Sequence, residues 1–193
     1  MNSEVLDVDM LAFERGSSNT KQAVVDGVMK SLETGFVYTS HDMSQDFLDE
    51  VYGMLGEFFS KSTPQKETAK AEGTNGQRGY TGLLVETAAI SDVPDWKEML
   101  NWGKDIPTGH PLKKRYPHRF FNNVFPEDLV PGITGTLEKF HDQVLDLQLR
   151  FLRIIASGLK ASETFFDSFV PGGATLTRAI NYPAMNLAPN DNH

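Results

Sequence analysis

Arg178 is the residue whose setting points most directly to chemistry. It lies in Thr175–Pro183, Thr-Leu-Thr-Arg-Ala-Ile-Asn-Tyr-Pro, after Pro171-Gly172-Gly173. The β-branched and apolar content of this stretch, bounded by turn residues, predicts a β-strand. Side chains alternate along a strand, so Leu176, Arg178 and Ile180 would share one face and Thr177, Ala179 and Asn181 the other. A guanidinium between two aliphatic residues needs an anionic or carbonyl partner. That partner is either an ordinary internal ion pair or a bound carboxylate. A second candidate is Arg78-Gly79-Tyr80, inside the turn-rich stretch Thr74–Gly82. Glycine between two long polar side chains lets the backbone approach another group closely. The alternative is a loop with a surface arginine and a half-buried tyrosine.

Other chemistries find little support. His110 and His118 fall in the proline- and aromatic-rich stretch Ile106–Pro126, without a carboxylate or third imidazole at close ligand spacing, so surface histidines are expected rather than a metal site. His141 sits between apolar positions and is expected to be packed or half-exposed, not a ligand. There is no phosphate-cradling glycine loop, no His-Glu-x-x-His and no credible Ser/His/Asp set.

The elements that would position these residues are read from periodicity. Val5–Asp9 could be a short edge strand. The cap-forming cluster Ser17–Thr20 precedes a helix with Val24, Val25, Val28, Met29 and Leu32 on one side, and Gly35 stands where a helix-ending glycine belongs. Gly35–Thr39 is expected to be a buried strand. A helix from Ser44 carries Phe47, Val51, Leu55 and Phe58. Thr63-Pro64 starts a short charged helix running to Gly73, its charges expected on a solvated face. Asp95–Gly103, which holds both tryptophans, reads as a short strand or an irregular packed segment. Ile133–Leu159 repeats apolar residues every three to four positions, the signature of one long amphipathic helix that commonly backs a sheet. A further turn carries Phe165 and Phe166.

Composition narrows the class. The 193 residues suffice for one medium domain, and 39% hydrophobic with 23% charged residues is ordinary for a globular protein. Lys and Arg total 18 against 26 Asp and Glu, a net charge of −8, which argues against a general nucleic-acid or anionic-membrane binder. Cysteine is absent, so disulfides and thiolate metal sites are excluded. The opening residues Met1–Val5 lack a signal-peptide pattern and no apolar run approaches a membrane span. A cytoplasmic protein is expected.

The order of these pieces resembles the N-terminal half of the isopenicillin N synthase-like oxygenases, the non-haem Fe(II), 2-oxoglutarate-dependent dioxygenases. The features that carry the resemblance are Val5–Asp9, Gly35-Phe36-Val37-Tyr38, Phe58-Phe59 before the Pro64 helix, Arg78-Gly79-Tyr80-Thr81-Gly82 and Asp95-Trp96-Lys97-Glu98. Asn122-x-x-Phe125-Pro126-Glu127, the long helix with Phe165-Phe166, and Arg178-Ala179-Ile180-Asn181-Tyr182-Pro183 complete the series.

The resemblance implies an α+β fold in which an N-terminal mixed region leads into a jelly-roll core, the double-stranded β-helix, of which residues 1–193 would hold the first part as a single domain. It implies Fe(II) and 2-oxoglutarate as cofactor and co-substrate, and O2 and a small molecule as partners. It places Tyr182 and Asn181 near 2-oxoglutarate, and Arg178, Arg78 and Tyr80 on the substrate side. Plant members carry the 2-oxoglutarate asparagine two residues before the tyrosine, where this chain has Ile180. The His-x-Asp motif, the distal histidine and the C-terminal Arg-x-Ser are absent, so the metal triad is expected beyond His193, and His193 itself is read as a linker residue. Two other functions fit the same residues: a non-catalytic binding or scaffold module, and an iron oxidase that works without 2-oxoglutarate.

Overall fold

The computed structural model describes residues 5–87 and 92–184. Met1–Glu4 and His193 lie outside the described residues. In chain order the elements are β1 (Leu6–Val8), α1 (Met10–Arg15), α2 (Ser18–Ser31), β2 (Val37–Thr39), α3 (Gln45–Ser60), α4 (Thr63–Glu67), β3 (Gly79–Thr81), β4 (Glu98–Trp102), α5 (Pro111–Arg115), α6 (Ile133–Gly158), a 3-10 turn (Phe165–Ser168) and β5 (Thr177–Asn181). They form two compact units. One comprises residues 1–45 and 142–173, the other residues 46–141 and 174–193.

In the first unit, β1 and β2 pair in parallel, with Leu6 opposite Val37 and Val8 opposite Thr39. Parallel strands need a crossover, which α1 and α2 provide. Asp9 caps α1 by accepting from the Ala12 amide, and Ser17 caps α2 by accepting from Thr20. The apolar side of α2 is buried at Val24, Val25 and Val28, with Val8, Met10, Phe13 and Ile154. Leu32, expected on that side, is exposed. Arg150 of α6 makes a two-pronged ion pair with Glu14 and reaches Asp42 at 2.9 Å. The strand after Gly35 is not buried as expected. Phe36 and Tyr38 are exposed, because among the described residues β2 lies at the edge of a two-stranded sheet with β1 as its one partner.

The second unit is built on a three-stranded antiparallel sheet, β3-β4-β5. All five residues of β4 are buried, as expected for the central strand. Tyr80, Leu100, Trp102 and Ala179 alternate onto one face. That face packs on Phe47, Val51, Leu55 and Phe58 of α3 and on Ile133 and Leu137 of α6. All four expected stripe residues of α3 are therefore buried. The Trp102 indole donates to the Leu137 carbonyl at 3.0 Å, which fixes the start of α6 over the sheet. Glu127 satisfies the opening amides of α6, accepting from Gly132 and Thr134, as unpaired helix N–H groups require. Gly79 has φ +71°, and a Cβ there would run into the Ala69 carbonyl, so β3 can start only on glycine.

Candidate functional site around strand β5

The site is built from β5, its partner β4, and β3 on the far side of β4. In register, Glu98 faces Asn181, Leu100 faces Ala179, Asn101 faces Arg178 and Trp102 faces Thr177. Burial follows the two-residue alternation: Thr177, Ala179 and Asn181 are half-buried, whereas Arg178 and Ile180 are exposed. Leu176 and Tyr182 continue the exposed side. The shared face of Leu176, Arg178 and Ile180 expected from sequence is thus the open one, and the other turns toward α3 and α6.

On the inward side Glu98 is the hub. It is 2% exposed. Its Oε2 accepts from Lys66 Nζ at 2.6 Å and from the Tyr80 hydroxyl at 2.6 Å, and its Oε1 accepts from Asn181 Nδ2 at 2.8 Å. Lys66 and Tyr80 are also buried. Burial alone would raise the Glu98 carboxyl's pKa, but hydrogen bonds from Lys66, Tyr80 and Asn181 outweigh it, and the group sits below the ordinary carboxylate value. The Tyr80 phenol is pushed up, first by burial and then by Glu98, so it remains a donor. The expected solvated face of the Pro64 helix is corrected at Lys66. Its partner Glu98 lies 32 residues away in sequence, a separation at which periodicity carries no signal.

On the open side, Arg178 Nε donates to Asn101 Oδ1 at 2.9 Å and its Nη1 reaches Glu86 Oε2 at 3.4 Å. Lys97 shares that same Glu86 oxygen at 3.4 Å and pairs with Asp95 at 3.0 Å. The ion-pair alternative for Arg178 is therefore present, in a loose form. Arg78 is buried, not on the surface, at 2% exposure. It donates to the carbonyls of Gln77 and Thr175 at 2.7 and 3.3 Å, and burial lowers its pKa, with Asp105 opposing. Arg78 Nε and Asn101 Nδ2 are buried without a hydrogen-bond partner among the described residues. Gly103 makes room for Arg78, since a Cβ there would meet the Arg78 guanidinium and the Thr175 carbonyl.

The structure thus brings Tyr80 and Asn181 together at Glu98. It places Arg178 and Tyr182 on the exposed side, and Arg78 beside the start of β5. His141 is 3% exposed and meets Thr177 Oγ1 at 2.6 Å and Thr175 Oγ1 at 2.9 Å, so it packs as expected. His110 caps α5 by accepting from the Leu112 amide. Among the described residues no group of three or more His, Asp or Glu could hold a metal ion. The described residues therefore do not fit an iron site. Beside β5 runs a cleft of about 480 Å3, walled by Val51, Leu55, Phe59, Trp102 and Phe140. Lys66 and Asn101 escape sequence reasoning, and Glu98 enters it only as the end of Asp95-Trp96-Lys97-Glu98, without a role. The one available signal is a charged residue directly before the apolar Met99-Leu100 of a central strand.

Residues 5–128 match the family model described as non-haem dioxygenase in morphine synthesis N-terminal. The chain is 26% identical over 184 residues to a 2-oxoglutarate-dependent dioxygenase of Aspergillus niger, covering 93% of this chain and 56% of that protein. A crystal structure of a 2OG-Fe(II) oxygenase family protein from Caulobacter crescentus superposes with a TM-score of 0.81 at 25% identity, over 97% of this chain and 59% of the other. A full-length Neurospora crassa protein crystallised with α-ketoglutarate, which is 2-oxoglutarate, gives a TM-score of 0.76 at 26% identity, over 95% and 56%. The chain spans about half the length of the curated relatives it matches. Among the described residues no helix is long and apolar enough to cross a membrane.

Proposed function

The chain belongs to the non-haem dioxygenase N-terminal family, and we propose that it forms the N-terminal part of an Fe(II)- and 2-oxoglutarate-dependent dioxygenase that oxidises a small molecule. The observation that carries this reading is the superposition of nearly the whole chain on a 2OG-Fe(II) oxygenase family protein. The iron ligands are supplied by residues other than those described. Among the described residues β5 pairs on one side only, with β4. That edge and the apolar cleft beside it suit continuation of the sheet into a jelly roll, since a strand edge offers N–H and C=O groups to a further strand.

In this reading the described residues bind and orient. Arg178 meets a substrate carboxylate. Its contact with Glu86 is long at 3.4 Å, and a bidentate carboxylate makes shorter, charge-assisted bonds. Tyr182 lies near 2-oxoglutarate. Asn181 and Tyr80 act from the other side of the sheet, through Glu98. Arg78 braces the backbone at Thr175, just before β5 begins. A carboxylate-bearing small molecule is the substrate class that this arrangement favours.

Binding tests the reading. Titration with 2-oxoglutarate in the presence of Mn(II), an unreactive stand-in for Fe(II), should stabilise the protein by about 2.7 kcal/mol at a hundredfold excess over Kd. No shift with oxoacid and metal together would favour the non-catalytic module. A shift with metal alone, unaffected by the oxoacid, would favour the iron oxidase that needs no 2-oxoglutarate.

A further inference from the structure

We propose that Trp96 and Glu98 are positioning residues that hold the ligand-contacting stretch Arg178–Pro183 in place at two points, and that Lys97 between them keeps Arg178 available to an anionic ligand. The inference rests on the function proposed above for Arg178 and Tyr182. The Trp96 indole Nε1 donates to the Pro183 carbonyl at 3.0 Å. Glu98 accepts from the Asn181 side chain at 2.8 Å. Tyr182 lies between these two anchored residues, with its own side chain exposed. Lys97 binds the Glu86 carboxylate that also faces Arg178.

Each contact has a distinct physical consequence. The Glu98 bond is buried, so breaking it leaves a polar group unsatisfied and is disfavoured. It fixes the inward side of the strand at Asn181. The Trp96 bond fixes the backbone just past Tyr182, where strand pairing has ended at Asn181. A side chain is held well only when the residues beside it are held, and these two clamps bracket Tyr182. Lys97 acts on charge. With its ammonium on Glu86 and Asp95, the positive charge of Arg178 is less fully neutralised by Glu86 and remains available to an anionic ligand. The division of labour follows from the contacts: Glu98 meets Asn181 on one side of β5, whereas Lys97 meets Glu86, the partner of Arg178, on the other. Asp-Trp-Lys-Glu thereby gains a role beyond packing.

The test compares wild type, Trp96→Phe and Lys97→Met by hydrogen–deuterium exchange, thermal unfolding and the KM and kcat for 2-oxoglutarate turnover. Phenylalanine keeps an aromatic ring and removes the donor. In Trp96→Phe, exchange at Tyr182 and Ala184 should rise about 2–10-fold, the effect of losing one hydrogen bond. Exchange in α3 should stay at the wild-type rate, and KM for 2-oxoglutarate should rise while kcat holds. In Lys97→Met, Arg178 turns to Glu86, and binding of a probe carboxylate such as succinate should weaken while exchange at Tyr182 is unchanged. Uniform acceleration across the unit would make these residues merely structural and overturn the proposal. So would faster exchange at Tyr182 with an unchanged KM, or unchanged exchange throughout. If wild type consumes no 2-oxoglutarate, the function proposed above fails separately, and the exchange pattern alone decides whether the segment holds the strand.

Discussion

The two sides of β5 are made from the same five residues and behave oppositely. Thr177, Ala179 and Asn181 turn inward, where Ala179 joins an aromatic and aliphatic core and Asn181 completes the bonds of Glu98. Arg178 and Ile180 turn outward, and the ion pair from Arg178 to Glu86 spans 3.4 Å. The inward side is closed in polar satisfaction at Glu98, while its half-buried residues border the cleft beside β5. The outward side keeps a cation held at Nε by Asn101 and only loosely paired with Glu86, between exposed Leu176 and Ile180. The difference separates stability from binding: substitutions behind the sheet should unfold the protein, and substitutions in front of it should spare the fold and remove ligand affinity.

The strongest way to break this contrast is Lys66→Met. It leaves Glu98 ionised and buried without its cation, and should cost about 3–5 kcal/mol in urea unfolding. A loss below about 1 kcal/mol, the range of an exposed pair, would show that the inward side is not closed. Gly79→Ala comes next. It forces a β-carbon at φ +71° against the Ala69 carbonyl, and should cost about 1–3 kcal/mol, read by the same method.

Acid sensitivity sharpens the contrast. The folded Glu98 carboxyl lies below its ordinary value of 4.5, so the unfolded chain binds this proton at higher pH than the folded one. Its contribution to stability is full above that value and is lost as pH falls through the folded pKa. Glu98→Gln should therefore be less stable at neutral pH, with a flatter decline on the acid side. An identical acid slope would mean that Glu98 does not govern it. The smallest structural effect is expected from Arg178→Gln, within about 0.5 kcal/mol of wild type. The same variant should weaken carboxylate binding about 10-fold or more, the loss of one charge-assisted hydrogen bond.

The helices and the family are legible in the sequence to different depths. The Phe47–Phe58 stripe and the long helix from Ile133 announce themselves by local spacing, because one face of a helix is written within a few residues. The start of the Pro64 helix is equally visible, but its end is not, since the helix stops at Glu67 and not at Gly73, and neither is the burial of Lys66, because it depends on Glu98 and on Tyr80, both distant in sequence. Phe36 and Tyr38 mislead in the other direction: aromatic content marks a strand and does not say whether a second layer covers it. Alternation separates the two faces of Thr175–Pro183 correctly, but does not say which one is open. Arg78 looks like a loop residue because glycine-rich sequence resembles a loop. The positive φ of Gly79 instead starts a buried strand whose partner, β4, is distant in sequence.

The most direct measurement is succinate formation from 2-oxoglutarate, followed by NMR in wild type and in Tyr182→Phe, with Fe(II) supplied or chelated. The expected result is Fe(II)-dependent succinate in wild type, lost on chelation, and a raised KM for 2-oxoglutarate in Tyr182→Phe with thermal stability unchanged. Iron-dependent substrate oxidation that proceeds without consuming 2-oxoglutarate, or a Tyr182→Phe protein with wild-type KM, would contradict the account.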